Sequence, residues 1–154
     1  MLREPTMRRE SAFRIEIDEN PRPEDWSIVE RGLTQHGESR SEPRNARPLA
    51  ILLRDDAAQV VGGLRGATVW GWLEIKWLWV AEQHRGTGWG KRLMAAAERE
   101  GINRGCRHVW LDTFDFQAPQ FYAKLGYEVF ATLEDFPRGH TRYFMRKLRL
   151  GEGA

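Results

Sequence analysis

Arg85-Gly86-Thr87-Gly88-Trp89-Gly90-Lys91-Arg92 joins an apolar, aromatic-rich run ending at Val80 to a segment of helical periodicity. At such a strand-to-helix junction, successive backbone N–H groups converge and the helix dipole is positive, so the turn is suited to an anion. Glycines let the main chain approach phosphate oxygens closely, because no Cβ intervenes. Arg85, Lys91 and Arg92 oppose the macrodipole there, at a cost of roughly 0.3–1 kcal/mol each unless something negative is bound. A bound polyanion reverses that sign.

Two phosphate loops are excluded by spacing. A Walker A loop needs Gly, four residues, then Gly-Lys-Ser/Thr, but its first glycine position holds Arg85 and its hydroxyl position holds Arg92. A dinucleotide fingerprint fails because Lys91 occupies its third glycine position.

Working outward, Leu93, Met94, Ala97 and Ile102 recur at helical intervals after Gly88, and Gly105 supplies a stop. Upstream, Leu49–Arg54, Gln59–Leu64 and Val69–Val80 read as three successive strands, the last long and rich in tryptophan. Downstream, His108–Thr113 reads as a strand, Ala118–Leu125 as a short helix closed by Gly126 in left-handed conformation, and Tyr127–Leu133 and Thr141–Leu148 as a final strand pair. Near the N-terminus, Ala12–Asp18 alternates with period two and predicts a half-buried strand; Glu24–Gln35 carries Trp26, Val29 and Leu33 at helical spacing, and His36–Arg47 reads as a loop. The order β-α-β-β-β-α-β-α-β-β predicts an α+β domain around a mixed sheet.

The chain has 154 residues, 41% hydrophobic and 30% charged, the size and balance of one globular domain with a core of its own. With 24 basic against 22 acidic residues, charge alone implies neither a nucleic-acid nor a membrane partner. The single cysteine, Cys106, forms no intrachain disulfide, and no Cys/His cluster has zinc-site spacing, so no metal is expected and a cytoplasmic location is. Residues 1–10 contain no apolar core of a signal peptide, and no stretch is apolar enough to span a bilayer. Six of the seven tryptophans fall between positions 70 and 110, so the middle of the chain is where large surfaces are expected to meet.

The pattern Arg85-x-x-Gly88-x-Gly90, with Val80 at the strand end, resembles motif A of the GNAT superfamily of acyl-CoA-dependent N-acetyltransferases. Ala118-x-x-x-Tyr122-x-x-x-Gly126-Tyr127 is similar to that family's second signature, and the resemblance covers about residues 48 to 148 of a single domain spanning 1–154. It implies a mixed, mostly antiparallel sheet of six to seven strands with about four helices, and acetyl-CoA as cofactor. It further implies contacts from the turn residues Arg85, Gly86, Thr87, Gly88, Trp89, Gly90 and Lys91, and from a strand, Leu78, Trp79 and Val80, that splays from its neighbour to admit the pantetheine arm. Many members carry Asn where this chain has Asp115, the residue left to contact that arm.

Acetyl transfer to an amine needs a neutral nucleophile, a polarised thioester carbonyl and a proton for the departing thiolate. Glu74 lies eleven residues before Arg85, an offset similar to that of the general base in GNAT histone acetyltransferases; its other reading is a solvent-facing strand charge. Tyr122 is the candidate general acid, and otherwise a packed aromatic beside Phe121. The resemblance implies direct transfer in a ternary complex to a primary amine of a small molecule, with aminoglycoside-type antibiotics (hence antibiotic resistance) and polyamines as examples of the class. A protein Lys or N-terminal acetyltransferase and a non-catalytic acyl-CoA-binding regulator are the alternatives. Members are often dimers, which leaves a homodimer open.

Overall fold

A computed structural model describes residues 13–152, which fall into two compact units divided after Ser41. Within the first unit, helix α1 spans Pro23–Glu38, with Pro23 at the first helical position and Glu24 and Asp25 in the positive first turn. The helix outruns its expected end, so His36–Glu38, read as loop, are helical. Residues 13–18 form no strand and join no ladder, and Ala12 lies outside the described residues. The alternation of Phe13, Ile15 and Ile17 is a genuine period of two, yet a strand requires a hydrogen-bonded neighbour, and no described strand supplies one.

The second unit holds a six-stranded mixed sheet in the order β1-β2-β3-β4-β6-β5. Its strands are β1 (Arg47–Arg54), β2 (Val60–Val69), β3 (Trp72–Val80), β4 (His108–Phe114), β5 (Glu128–Glu134) and β6 (Thr141–Leu148). All neighbours pair antiparallel except β3 and β4, which are parallel and connected through a short 3₁₀ turn (Glu82–His84) and helix α2 (Trp89–Asn103). A third helix, α3 (Pro119–Lys124), bridges β4 and β5. This is the α+β architecture expected, with six strands and three helices.

The strand expected over Val69–Val80 begins only at Trp72, and Val69 is the last residue of β2, which runs past its expected end at Leu64. Trp70 and Gly71 both have positive φ, +48° and +74°, and turn the chain in a two-residue hairpin that pairs Val69 with Trp72. An aromatic residue rarely takes that conformation, so the sequence hides the turn. Trp70 is tied down instead by its neighbours: its indole N–H donates to the Glu42 carbonyl, its backbone N–H donates to the Arg44 carbonyl, and the Arg44 guanidinium lies over its ring.

The core lies between α2 and one sheet face. Leu93, Met94, Ala97 and Gly101 of α2 meet Leu49, Leu64, Leu73, Ile75, Val109, Leu111 and Met145 from the strands, all buried. The alternation of β4 sends Val109, Leu111 and Thr113 to this side and leaves Trp110 and Asp112 on the other. None of the tryptophans clustered at 70–110 is buried; Trp77 and Trp79 are more than half exposed. Mostly aliphatic residues fill the core instead. Gly105 and Gly126 have positive φ, +84° and +89°, just past α2 and α3, as their sequence positions required.

Candidate active site

The site begins with a break in pairing. β3 follows β4 only from Trp72–Ile75 against His108–Leu111. Opposite Arg65 and Gly66 of β2 the register slips by one residue, leaving Lys76 as the extra residue of a bulge. A Cβ on Gly66 would run into the Glu74 carbonyl, so this close approach requires glycine. Beyond the bulge β3 stays with β2, while β4 stays with β6, and the two parallel strands part. The splay that the resemblance implied at Leu78, Trp79 and Val80 is therefore present, and it opens beyond the last pair, Ile75 with Leu111.

At the open end of the cleft stands the glycine turn. Gly88 has φ +87° and precedes the first residue of α2 without any side-chain cap. No group among the described residues accepts a hydrogen bond from the backbone N–H of Gly86, Thr87, Gly88, Trp89, Gly90 or Lys91. The first donor of α2 that finds a carbonyl is Arg92 N–H, bonded to Gly88 at 3.1 Å. Such a row of unpaired donors at a helix N-terminus costs free energy unless water or an anion takes it up. Thr87 fixes the turn by donating its hydroxyl to the His84 carbonyl, and Arg85 donates Nε–H to the Val80 carbonyl, its other guanidinium nitrogens having no hydrogen-bond partner among the described residues. A Cβ at Gly90 would sit 3.2 Å from the Phe121 ring, so Gly90 is the point where α2 and α3 touch.

Two connected hollows run along the cleft. One, about 450 Å³, is lined by Leu78, Trp79, Val80 and the turn on one side and Ala118, Phe121 and Tyr122 on the other. The second, about 560 Å³, shares Leu78–Val80, Arg85, Ala118 and Tyr122 and continues past Lys76, Trp77, Asp112, Phe116 and Gln117. A larger hollow of about 920 Å³ opens around Arg47, Trp72, Arg104 and His108, apart from the turn. Its Arg104 is already spent, Nε on Glu100 at 2.6 Å and Nη1 on the Arg47 and Pro48 carbonyls.

Tyr122 is buried in α3 and lines both hollows, and no described protein group hydrogen-bonds to its hydroxyl. Burial, then the negative charge of Asp112, push its phenol up to about 12. Asp112 accepts from Arg142 Nε at 2.7 Å through Oδ2, and Arg142 lies over the rings of Phe114, Phe136 and Phe144.

Glu74 is not in this cleft. Its register partner is Trp110, its carboxylate lies 3.7 Å from Lys76 Nζ, and it lines a separate depression with Trp72 and Trp110. Asp115 is engaged elsewhere too: Oδ1 meets His140 Nδ1 at 2.9 Å and Oδ2 accepts from Thr141 N–H at 3.1 Å. Burial alone would raise its pKa, but the Thr141 N–H and the His140 ring outweigh that and lower it. Of the residues read from sequence, the structure thus brings together Leu78, Trp79, Val80, Arg85, Gly86, Gly88, Trp89, Gly90, Lys91 and Tyr122, with Thr87 bracing the turn.

The reading from sequence missed Phe121 and Gln117 and did not connect Asp112 to Tyr122. Gln117 Oε1 accepts from the Phe114 N–H and the Thr113 hydroxyl, holding the β4–α3 corner that forms one wall. The period of two in β4 was the available signal, since it puts Asp112 on the side away from α2.

The acetyltransferase (GNAT) family model matches residues 10–127. Blasticidin-S acetyltransferase of Streptomyces morookaense is 38% identical over 112 residues, covering 70% of this chain and 82% of that protein. An acetyltransferase of Agrobacterium fabrum is 34% identical over 120 residues, covering 78% and 84%. The crystal structure of an acetyltransferase from Bacillus cereus superposes with a TM-score of 0.78 at 29% identity, covering 86% of this chain and 97% of the other.

Proposed function

Because this chain belongs to the GNAT acetyltransferase family, we propose that the cleft between β3 and β4 transfers an acetyl group from acetyl-CoA to a primary amine of a small molecule. Membership makes the protein an N-acetyltransferase that uses acetyl-CoA, and the residues present fit that cofactor. Unpaired N–H groups at the turn, with Arg85, Lys91 and Arg92 beside them, suit a pyrophosphate. The edge of β3 freed by the splay suits the amides of a pantetheine arm, which would extend the sheet as another strand does.

Bound acetyl-CoA supplies an acetyl thioester; what the chain's own residues do follows from where they stand. In this reading a backbone N–H of Leu78–Val80 polarises the thioester oxygen. In this reading the Tyr122 hydroxyl, without a hydrogen-bond partner among the described residues, gives its proton to the departing sulfur. Its raised pKa keeps the phenol protonated throughout the physiological range. Glu74, outside the cleft but on the sheet face it shares with Trp110 and Asp112, would take the amine's proton only through intervening water.

The observation that carries this reading is the coincidence of the unpaired glycine turn, the freed strand edge and the unbonded Tyr122 hydroxyl along one cleft. A small-molecule acceptor is favoured by the 38% identical relative named for blasticidin S, an antibiotic, rather than by the cleft itself. The deciding experiment measures CoA release from acetyl-CoA against a panel of small amines, blasticidin S and lysine peptides. Acetylation of a small amine well above the peptides is expected; peptides alone would refute the acceptor class.

A further inference from the structure

The cleft contains a carboxylate whose position gives the acceptor a chemical signature. Among the described residues, Asp112 is the only acidic one lining the hollow that Tyr122 shares, and its side chain is 23% exposed. One of its oxygens, Oδ2, is held by Arg142; Oδ1 has no hydrogen-bond partner among the described residues. No described side-chain oxygen or nitrogen is both buried and unpartnered, so Oδ1 is open to solvent. We infer that Asp112 receives a cationic group of the acceptor through Oδ1 and thereby selects amines that carry a second positive charge.

The surrounding charges decide whether that oxygen stays attractive. From β6, Arg142 faces Asp112, but its charge is shared with three phenylalanine faces at 5.3–5.5 Å. From β3, Lys76 borders the same hollow and has Glu74 at 3.7 Å as its own counter-charge. Arg85, after β3, stands at the glycine turn, where a pyrophosphate would take up its charge. From α3, the neutral Tyr122 phenol completes the set. Arg142 is paired with Oδ2 and Lys76 with Glu74, so Asp112 Oδ1 is the carboxylate oxygen of this hollow left without a partner among the described residues.

A consequence for the chemistry follows. The Asp112 charge is the second of the two causes that raise the Tyr122 phenol, after burial. An acceptor cation seated on Oδ1 offsets that charge and makes the phenol a better proton donor when the sulfur departs. Binding of the right acceptor therefore primes the acid, which a neutral acceptor of the same shape does not do.

The inference rests on the acetyl-transfer reading above, and its test separates the two. Acetyl-CoA affinity by calorimetry and kcat/KM for 1,4-diaminobutane and for 4-aminobutan-1-ol are measured in the parent, Asp112→Asn and Asp112→Glu. Expected is a preference of about 10-fold or more for the diamine in the parent, the range of charge-assisted hydrogen bonds. Asp112→Asn should bring the preference close to unity and Asp112→Glu should restore part of it, with acetyl-CoA affinity unchanged in both. Rising ionic strength should erode the preference in the parent and not in Asp112→Asn. No preference in the parent, turnover of neither amine, or a preference that survives Asp112→Asn would overturn the inference while leaving the cofactor site standing. Should Asp112→Asn fail to fold, Asp112→Glu decides: a reduced, salt-sensitive preference with acetyl-CoA binding retained supports the inference, and an undiminished preference, or one unmoved by salt, counts against it. A parent that binds no acetyl-CoA would sink both readings.

Discussion

Asp112 and Tyr122 reach one cleft from two different elements, β4 and α3, and the aspartate's charge adds to burial in holding the tyrosine's proton. Neither residue contacts the other through a hydrogen bond, so the coupling is electrostatic.

That coupling fixes the pH profile. A phenol pushed up to about 12 stays protonated below that value, so its ionisation removes no acid between pH 7 and 10. The rate should rise with pH as the amine deprotonates and show no falling limb before about pH 10. Tyr122→Phe should lower kcat within the ~10²–10⁴-fold span of general-acid effects while acetyl-CoA affinity holds. A variant with the parent's kcat at saturating substrates would return Tyr122 to the packing role that its burial also allows.

Gly88 and Gly90 are needed for different reasons, and substitution separates them. At Gly88 a Cβ meets nothing within 4 Å, but φ +87° strains any other residue by roughly 1–2 kcal/mol and crowds the space before the unpaired N–H groups. At Gly90 φ is ordinary and the Cβ meets Phe121 at 3.2 Å. Gly88→Val should therefore weaken acetyl-CoA binding at least ~10-fold even where the protein remains folded. Gly90→Ala with Phe121→Leu should recover thermal stability lost by Gly90→Ala alone. Thermal melts with and without acetyl-CoA read both effects.

Much of this was legible from residue spacing alone. The glycine turn, α2 with its buried Leu93, Met94 and Ala97, and the stops at Gly105 and Gly126 follow from periodicity and backbone chemistry at single positions. The Trp70-Gly71 turn was hidden because a tertiary hold by Glu42 and Arg44, not local preference, puts a tryptophan at φ +48°. Register was the other blind spot. Glu74 and Asp112 both stand on the sheet face away from α2, and only the end of β3–β4 pairing at Ile75 and Leu111 decides which of them reaches the cleft. A chain offset such as that from Glu74 to Arg85 carries no information about where a strand leaves its neighbour.

Away from the cleft, Glu98 of α2 accepts from the Tyr127 hydroxyl at 2.9 Å and from Lys147 Nζ at 2.8 Å, clasping the helix to the segment before β5 and to β6. Burial, then the Glu98 charge, push the Tyr127 phenol far up, so it remains a donor at any working pH. Glu98→Ala leaves both partners without an acceptor and should cost about 1–3 kcal/mol, whereas Tyr127→Phe should cost less, since Lys147 still answers the carboxylate. Urea unfolding measures the difference. Equal losses in the two variants would mean that the hydroxyl, not the ion pair, carries the clasp.

Asp115 offers a test of linkage with its sign fixed in advance. Its pKa is lowered in the folded protein because the Thr141 N–H and the His140 ring outweigh burial. A carboxyl depressed on folding stabilises above its unfolded value, near ~3.9, and that stabilisation is lost as pH falls through the lower, folded value. Asp115→Asn should therefore melt below the parent at pH 7, and the gap should close as pH falls below about 4. A gap of constant size down to pH 2.5 would show that the carboxylate charge plays no part.

Glu74 remains the sharpest question for the acceptor's proton, because its distance from the cleft and its chain offset point in opposite directions. An amine whose pKa lies well above neutrality arrives protonated and must lose a proton before it attacks. If Glu74 receives it through water, Glu74→Gln should lower kcat most near pH 7 and recover part of the loss as the pH rises and free amine accumulates. Lys76 complicates the simple substitution, since it loses its counter-charge at 3.7 Å and gains influence over the hollow it lines. Glu74→Gln combined with Lys76→Met removes that effect. If the double variant regains the parent's rate-versus-pH profile, the loss in Glu74→Gln came from an unbalanced lysine, and the proton leaves by another route. If the deficit near pH 7 persists, the Glu74 carboxylate, on the paired part of β3 before the cleft, is the proton's destination.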